Sequence, residues 1–431
     1  MSELTRRTFL KNTSKAVIIG GMMATSGRVF GANDRVGVAV MGVNGRGKSH
    51  IDGFGNKPDS DIVAMVDPDS RVLSRRIETF ANETGNTPAS YADIRDALAD
   101  KNVDAISIAT PNHWHSLASI WGVEAGKDVY VEKPLSHNIY EGRQLANLFA
   151  KSDRIVQHGT QSRSSGTWLR DIGLIHDGFL GKIHMGKGFT YKTGNRKSIG
   201  HSKPQNAPKH LDWTLWQGPA ESKQYRKNYV HYNWHWFWDY GNGETGNQGV
   251  HQMDLAVWGM NRGLPTKVYS AGDRYHWDDD AETPNTQATT FTYEDGAMMI
   301  FEIRNYGSYM EAGVHTTGNT FWGEHGYYVE GKGFFDMEHK AIPIPEGTET
   351  PATRGNWQNF IDSCKSRDKS GIFGDAEDGH IASAHCHLAN AAYRLGHSLE
   401  IDPKKERFIG SEEGNAILTR QYRKGFEVKP A

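Results

Sequence analysis

The chain has 431 residues, with 49 Lys and Arg set against 51 Asp and Glu for a formal net charge of -2, and the two signs are well mixed. That balance offers nucleic acid or an anionic surface no electrostatic handle, and the length exceeds one comfortable core, so two domains are expected. Two cysteines, Cys364 and Cys386, make no disulfide framework and are read as free thiols.

Residues 1–32 read as an export leader. Thr5-Arg6-Arg7-Thr8-Phe9-Leu10-Lys11 is followed by the apolar, glycine-softened run from Ala16 to Ala24. This is the pattern of a twin-arginine signal. The run is too short to span a bilayer, which needs ~20 mostly apolar residues. The mature chain then begins near Asn33, in the periplasm, with the twin-arginine machinery as a partner. That route carries folded proteins, often with a cofactor inside. Because the periplasm has no free nicotinamide pool, a nucleotide enzyme there is expected to hold its cofactor tightly.

Residues 33–157 read as a dinucleotide-binding domain. A buried strand from Arg35 runs into Gly42-Val43-Asn44-Gly45-Arg46-Gly47 and then a helix near Lys48. A glycine-rich turn between strand and helix lets backbone N–H groups approach a pyrophosphate. Asn44 stands where the G-x-G-x-x-G pattern has its second glycine; Asn tolerates left-handed backbone angles and Gly45 adds freedom. The next strand, Asp61 to Asp67, ends in an acid 20 residues beyond Gly47. Asp67 there suits the adenosine ribose hydroxyls and favours NAD over NADP. Asp67 as a helix cap, Asp69 in the ribose role, and Arg46 facing a 2′-phosphate are the alternatives. Two further strands end in Thr110-Pro111-Asn112 and Glu132-Lys133-Pro134. In this setting Lys133 is read as pointing at the nucleotide crevice rather than into solvent.

Residues 158–431 read as a substrate and oligomerisation domain. A helix over Leu169–Phe179 is followed by strands at Lys182–Tyr191, Thr286–Tyr293, Ala297–Asn305 and Gly326–Glu330, with polar turns between them. The segment Gly241 to Asp254 leads into a helix. At ~100° per residue, Asn247, His251, Asp254 and Trp258 share one face, beside a stripe of Val250, Met253 and Val257. His251 is therefore aimed at a cleft, or is a core histidine satisfied by Asp254. The aromatic run Tyr229 to Tyr240, with Tyr232 and Trp234, suits either sugar faces or domain packing. His231 and His235 have i,i+4 metal spacing without a clear third ligand, so no metal is expected. In His385-Cys386-His387, adjacent helical residues point apart and cannot chelate together. His380 is a further candidate for the cleft.

Gly42–Gly47, Thr110-Pro111-Asn112, Glu132-Lys133-Pro134, Gly159-Thr160-Gln161-Ser162-Arg163 and Gly241–Asp254, in that order, resemble the Gfo/Idh/MocA family. The resemblance implies a Rossmann domain joined to an α/β domain with a large, mostly antiparallel sheet that often builds homo-oligomers. It places Lys133 and His251 beside the reacting carbon of a sugar or cyclitol, with the Lys133–Pro134 peptide cis. Gly42, Asn44, Gly45, Arg46, Gly47, Asp67, Thr110, Pro111, Asn112, His115, Glu132, Lys133 and Gln161 are then expected at the cofactor. Arg163, Asn247, Asp254, Tyr232 and Trp234 are expected at the substrate. Many relatives carry Asp where Asn247 stands, and Asn cannot accept a proton. A Lys–Asp–His relay is thereby put in doubt, leaving His251 as acid–base and Lys133 polarising the carbinol oxygen. The expected activity is hydride transfer to or from a secondary hydroxyl of a sugar, glycoside or cyclitol. The alternative is a nicotinamide-assisted glycosidase or lyase, working by transient C3 oxidation and elimination. A sugar-binding protein without catalysis is a third.

Overall fold

The computed structural model describes residues 34–192, 196–306 and 316–431. Residues 1–32, expected to be an export leader, and the expected start of the mature chain lie outside the described residues.

Six parallel strands form the first sheet: β1 (Val36–Met41), β2 (Ser60–Val66), β3 (Ala89–Tyr91), β4 (Ala105–Ile108), β5 (Asp128–Val131) and β6 (Val156–His158). Their order is β3-β2-β1-β4-β5-β6. β1, β4 and β5 are buried along their whole lengths, which is why they read as unbroken apolar runs. The order reverses between β1 and β4, and ligands lie at the carboxyl ends of strands beside such a reversal. Asp69 caps the helix Ser70–Thr84, its side chain accepting from the Arg71 and Val72 amides.

Ten strands form the second sheet: β7 (Ile183–Thr190), β8 (Lys267–Asp273), β9 (Thr286–Thr292), β10 (Met298–Arg304), β11 (Thr317–Gly323), β12 (Tyr327–Val329), β13 (Gly333–Phe335), β14 (Ala341–Ile342), β15 (Leu399–Asp402) and β16 (Arg407–Phe408). They run in the order β14-β13-β12-β11-β7-β10-β9-β8-β15-β16, antiparallel except for β7 against β10. In β9 and β10 the residues alternate, with Gln287, Thr289, Phe291, Met299, Phe301 and Ile303 facing inward. Phe291, Phe301 and Phe321 are fully buried, each contributing ~2 kcal/mol of transfer free energy.

The helix Gly249–Met260 lies on that inner face. Its approach depends on Gly259, where a Cβ would stand 2.3 Å from the Phe321 ring. The helix Ala376–Leu395 packs against it, buried along most of its length. The chain also returns to the first sheet. Phe360, Ile361 and Cys364 of the helix Gly355–Ser366 share a core with Val36 and Phe54. Phe426, near the end of the chain, packs edge-on against Trp114. Both cysteines are free and buried.

Candidate active site

The crevice at the carboxyl ends of β1, β4 and β5 is a cavity of about 410 Å³. Gly42, Asn44, Gly45, Arg46, Asp67, Thr110, Pro111, Asn112, His115, Glu132, Lys133 and Asn247 all line it. The glycine turn is tight where a nucleotide domain needs it. A Cβ on Gly47 would sit 1.9 Å from the Gly42 carbonyl oxygen, and Gly42 has φ +81 against the Ala109 main chain. Gly45 has φ +39 and faces open space. Thr110 Oγ1 and Asn112 Oδ1 are buried here with no hydrogen-bond partner among the described residues. A glycine cradle with orphaned polar atoms at its edge fits a dinucleotide.

Asp67 accepts from the amides of Val43 at 3.0 Å and Asp69 at 2.9 Å, one on each carboxylate oxygen. Each oxygen keeps a further lone pair, and burial pushes the carboxyl up to about 6. The helix-cap alternative thus belongs to Asp69, not Asp67. Arg46 Nε donates to Glu132 Oε1 at 2.7 Å, with its side chain 42% exposed.

Glu132 gathers this corner of the site. His50, one helical turn beyond Arg46, has Nε2 3.1 Å from Glu132 Oε1, and Gln161 Nε2 donates to the same oxygen at 3.4 Å. Burial alone would raise the carboxyl, but His50 and Arg46 hold it well below the usual carboxylate range. His115 sits with Nδ1 2.6 Å from the Pro134 carbonyl and Nε2 2.9 Å from the Thr110 carbonyl, bracing two strand ends. The Lys133–Pro134 peptide is cis, as expected, and so is Val230–His231.

Lys133 meets the second domain at a break in its helix. Gly243–Gly246 forms a single turn, Asn247 departs from helical angles at ψ -89, and a new helix starts at Gly249. Asn247 therefore does not share one continuous helical face with His251, as the sequence suggested. Two glycines and an asparagine in sequence marked the interruption. The break leaves the Asn247 carbonyl outside the next helix, where Lys133 Nζ donates to it at 3.0 Å. Asn247 Nδ2 donates to Glu244 Oε2 at 3.1 Å, and Arg196 Nη2 pairs with Glu244 Oε1 at 2.7 Å. Glu244 and Arg196 escaped the sequence reading. Burial lowers the Lys133 ammonium from its ordinary value. It pushes His251 down to about 3, with the Lys133 charge adding to the effect, so the imidazole is neutral near pH 7.

Arg163 and Asp254, expected at the substrate, close on each other instead. Arg163 Nε is 3.0 Å from both Asp254 oxygens, and Nη1 is 2.9 Å from Asp378. Both are buried, because two facing helices bring complementary charges together away from the crevice. His380, the other cleft candidate, contacts Glu406 at 3.0 Å. The aromatic run divides its duties. Tyr229, Phe237 and Tyr240 form a core cluster with Trp213 and Trp216, while Tyr232, Trp234, His231 and His235 line the cavity. Trp234 stacks on His235 at 3.6 Å, and Tyr232 is half-exposed. His231 Nε2 is 3.2 Å from Asp69 and His235 Nδ1 is 2.5 Å from the Tyr232 carbonyl, so the pair does not converge. Among the described residues no cluster of three or more His, Cys, Asp or Glu is placed to hold a metal ion.

A glycine-cradled crevice on a 3-2-1-4-5-6 parallel sheet, capped by an antiparallel sheet domain, defines an NAD-binding oxidoreductase fold. Two family profiles match: "Oxidoreductase family, NAD-binding Rossmann fold" over residues 36–160, and "Oxidoreductase family, C-terminal alpha/beta domain" over 169–428. The chain belongs to the Gfo/Idh/MocA oxidoreductase family. It is similar in structure to the WlbA dehydrogenase of Bordetella pertussis, solved with NADH and UDP-GlcNAcA. That match has a TM-score of 0.64 at 19% identity, covering 86% of this chain and 98% of that one. It is also similar to the scyllo-inositol dehydrogenase of Lactobacillus casei, with a TM-score of 0.60 at 17% identity over 85% and 98%. In sequence it resembles a glycosyl hydrolase family 109 protein of Shewanella baltica, 25% identical over 186 residues. That alignment takes in 39% of this chain and spans only 40% of the relative's length.

Proposed function

We propose that the protein is an exported, nicotinamide-dependent oxidoreductase that moves hydride to or from a secondary hydroxyl of a sugar, glycoside or cyclitol. The observation that carries this reading is Lys133, lining the nucleotide crevice and fastened to Asn247, within the electrostatic reach of a neutral His251. The glycine turn and Asp67 would hold the dinucleotide. Asp67 has lone pairs to offer ribose hydroxyls, which favours NAD over NADP. When bound, the nicotinamide supplies hydride acceptance and donation. Lys133 holds the carbinol oxygen through a proton on Nζ, and His251, neutral and half-buried, takes up the hydroxyl proton or returns it. Tyr232 and Trp234 offer aromatic faces on the substrate side of the cavity.

The family 109 relatives favour a second reading, in which transient oxidation acidifies a neighbouring carbon, the glycosidic bond leaves, and the carbonyl is reduced back. Retention of Glu132-Lys133-Pro134 supports the first reading over this one. Both suit a periplasmic enzyme with tightly held cofactor, since neither requires a free nucleotide pool.

The test is made on purified mature protein. Nicotinamide absorbance is followed through extensive dialysis, and a panel of sugars and glycosides is then added. Retained nucleotide reduced by one sugar and reoxidised by another supports the oxidoreductase. Aglycone release with no lasting absorbance change supports the second reading. Loss of the nucleotide on dialysis counts against tight binding.

A further inference from the structure

A second cavity, of about 450 Å³, shares no lining residue with the nucleotide crevice. Its size is that of a small-molecule site, for which ~300–1,000 Å³ is usual. One wall is the helix Ala376–Leu395, which presents His387, Asn390 and Arg394 at i, i+3 and i+7. The opposite wall carries His137, four residues beyond Lys133, and Asn242, five before Asn247.

The polar atoms of this wall are left in a particular state. Asn242 Nδ2 donates to the His137 carbonyl at 2.9 Å, and Asn390 Nδ2 donates to the Asn242 carbonyl at 2.9 Å. These bonds fix both amide orientations. Asn242 Oδ1 and Asn390 Oδ1 are then acceptors with no partner among the described residues, on side chains only 5% exposed. The Arg420 guanidinium contacts His137 Nδ1. His137 Nε2 and Arg420 Nε are also buried with no hydrogen-bond partner among the described residues. At the mouth, Arg394 lies over the Trp238 ring at 5.2 Å and makes no ion pair among the described residues.

Two orphaned acceptors, the orphaned Arg420 Nε donor and the unpartnered His137 Nε2 select a class of ligand. An ionised carboxylate brings no proton to the asparagine oxygens. A hydroxyl group both donates and accepts, and several on one ring would satisfy these atoms and reach Arg394. Charge agrees with a neutral ligand. Arg420 Nε lies 3.4 Å from Glu141, Asp239 is paired with Lys223, and Glu221 and Glu413 line the cavity together with Arg394. We propose that this cavity is a second binding site, for one neutral polyhydroxylated ring such as a monosaccharide or cyclitol. The site uses neither Lys133 nor the crevice, so it stands whether or not hydride transfer is the activity.

The experiment uses the mature protein saturated with NAD and three probes: D-glucose, myo-inositol and, as the anionic comparison, gluconate. Calorimetry and crystal soaks read occupancy without reference to turnover. A ring in this cavity should hydrogen-bond to His137 Nε2 and donate to Asn242 or Asn390. Arg394→Ala, at the rim, should weaken binding at this site about tenfold, the loss of one charge-assisted hydrogen bond. Asn390→Leu should abolish binding there while NAD remains bound. Glucose and inositol both absent from the cavity, water alone in the soaked crystals, or gluconate preferred to the neutral rings would overturn the proposal. So would an unchanged affinity in Arg394→Ala, a variant too exposed to threaten folding.

Discussion

Lys133 is tied to Asn247 through the main chain: Nζ is 3.0 Å from the Asn247 carbonyl oxygen, and the side-chain Oδ1 stands off at 3.5 Å. The residue that departs from the family pattern therefore matters at this contact less for its side chain than for the helix break it occupies. Asn247→Ala should lower turnover by less than ~10-fold, whereas Lys133→Met should lower it by ~10²–10⁴, the usual range for a lost proton-handling group. Steady-state kinetics on the two variants separates them, and equal losses would mean the Asn247 amide handles substrate directly.

His251 carries the acid–base role in the proposed reaction. His251→Ala should reduce kcat by ~10²–10⁴ with nucleotide still bound. Unchanged turnover would remove the imidazole from the mechanism.

Asp67 offers its remaining lone pairs to the ribose. Asp67→Ala should weaken NAD by about tenfold and narrow the gap to NADP, because one charge-assisted hydrogen bond and one repulsive charge are lost together. Titration of both nucleotides into apo protein measures this. An unaltered NAD-to-NADP ratio would show that Asp67 serves only the turn at Val43.

Arg163 and Asp254 form a buried pair, so removing one partner strands the other. Arg163→Met should cost ~3–5 kcal/mol of stability. In folded protein, NAD affinity should be unchanged. Thermal unfolding and nucleotide titration together decide whether the arginine is architectural.

Burial drives His113, His158, His235, His251 and His387 down to about 3, and His385 to about 4. A histidine lowered in the folded state is stabilising above the unfolded value near 6.5, and that contribution is lost as pH falls toward 3–4. Between these limits the unfolded chain binds the extra proton, at up to ~1.4 kcal/mol per pH unit for each histidine. The melting temperature should therefore fall steeply from pH 7 to pH 4. Calorimetry should detect proton uptake on unfolding near pH 5, and a flat profile would contradict the buried-neutral assignment.

Much of the first domain was legible in the sequence because parallel strands buried on both faces leave continuous apolar runs, as in Val36–Met41 and Ala105–Ile108. The three-residue strands Ala89–Tyr91 and Val156–His158 are too short to leave a period and went unread. Glycine spacing located the nucleotide turn, and the Glu132-Lys133-Pro134 triplet located the crevice. What sequence spacing could not show was pairing across distance. Arg163 and Asp254 are 91 residues apart and Arg46 and Glu132 are 86 apart, and in each case opposite charges pair across that distance. Glu244 was hidden because nothing local distinguishes a buried carboxylate whose partner, Arg196, lies 48 residues earlier. His50 carried a usable sign, one helical turn past Arg46.

Each of the two sulfhydryls lies in a different half of the molecule. Cys364 belongs to the core shared by β1 and the helix Gly355–Ser366, and Cys386 to the core beneath the ten-stranded sheet. Their burial raises both thiols, so neither reacts while its surroundings stay closed. The molecule thus carries a built-in reporter for each half. The rate at which an alkylating reagent modifies Cys364 reads the opening of the nucleotide side, and the rate at Cys386 reads the opening of the sheet side. A single mass spectrum resolves which half yields first under heat or acid.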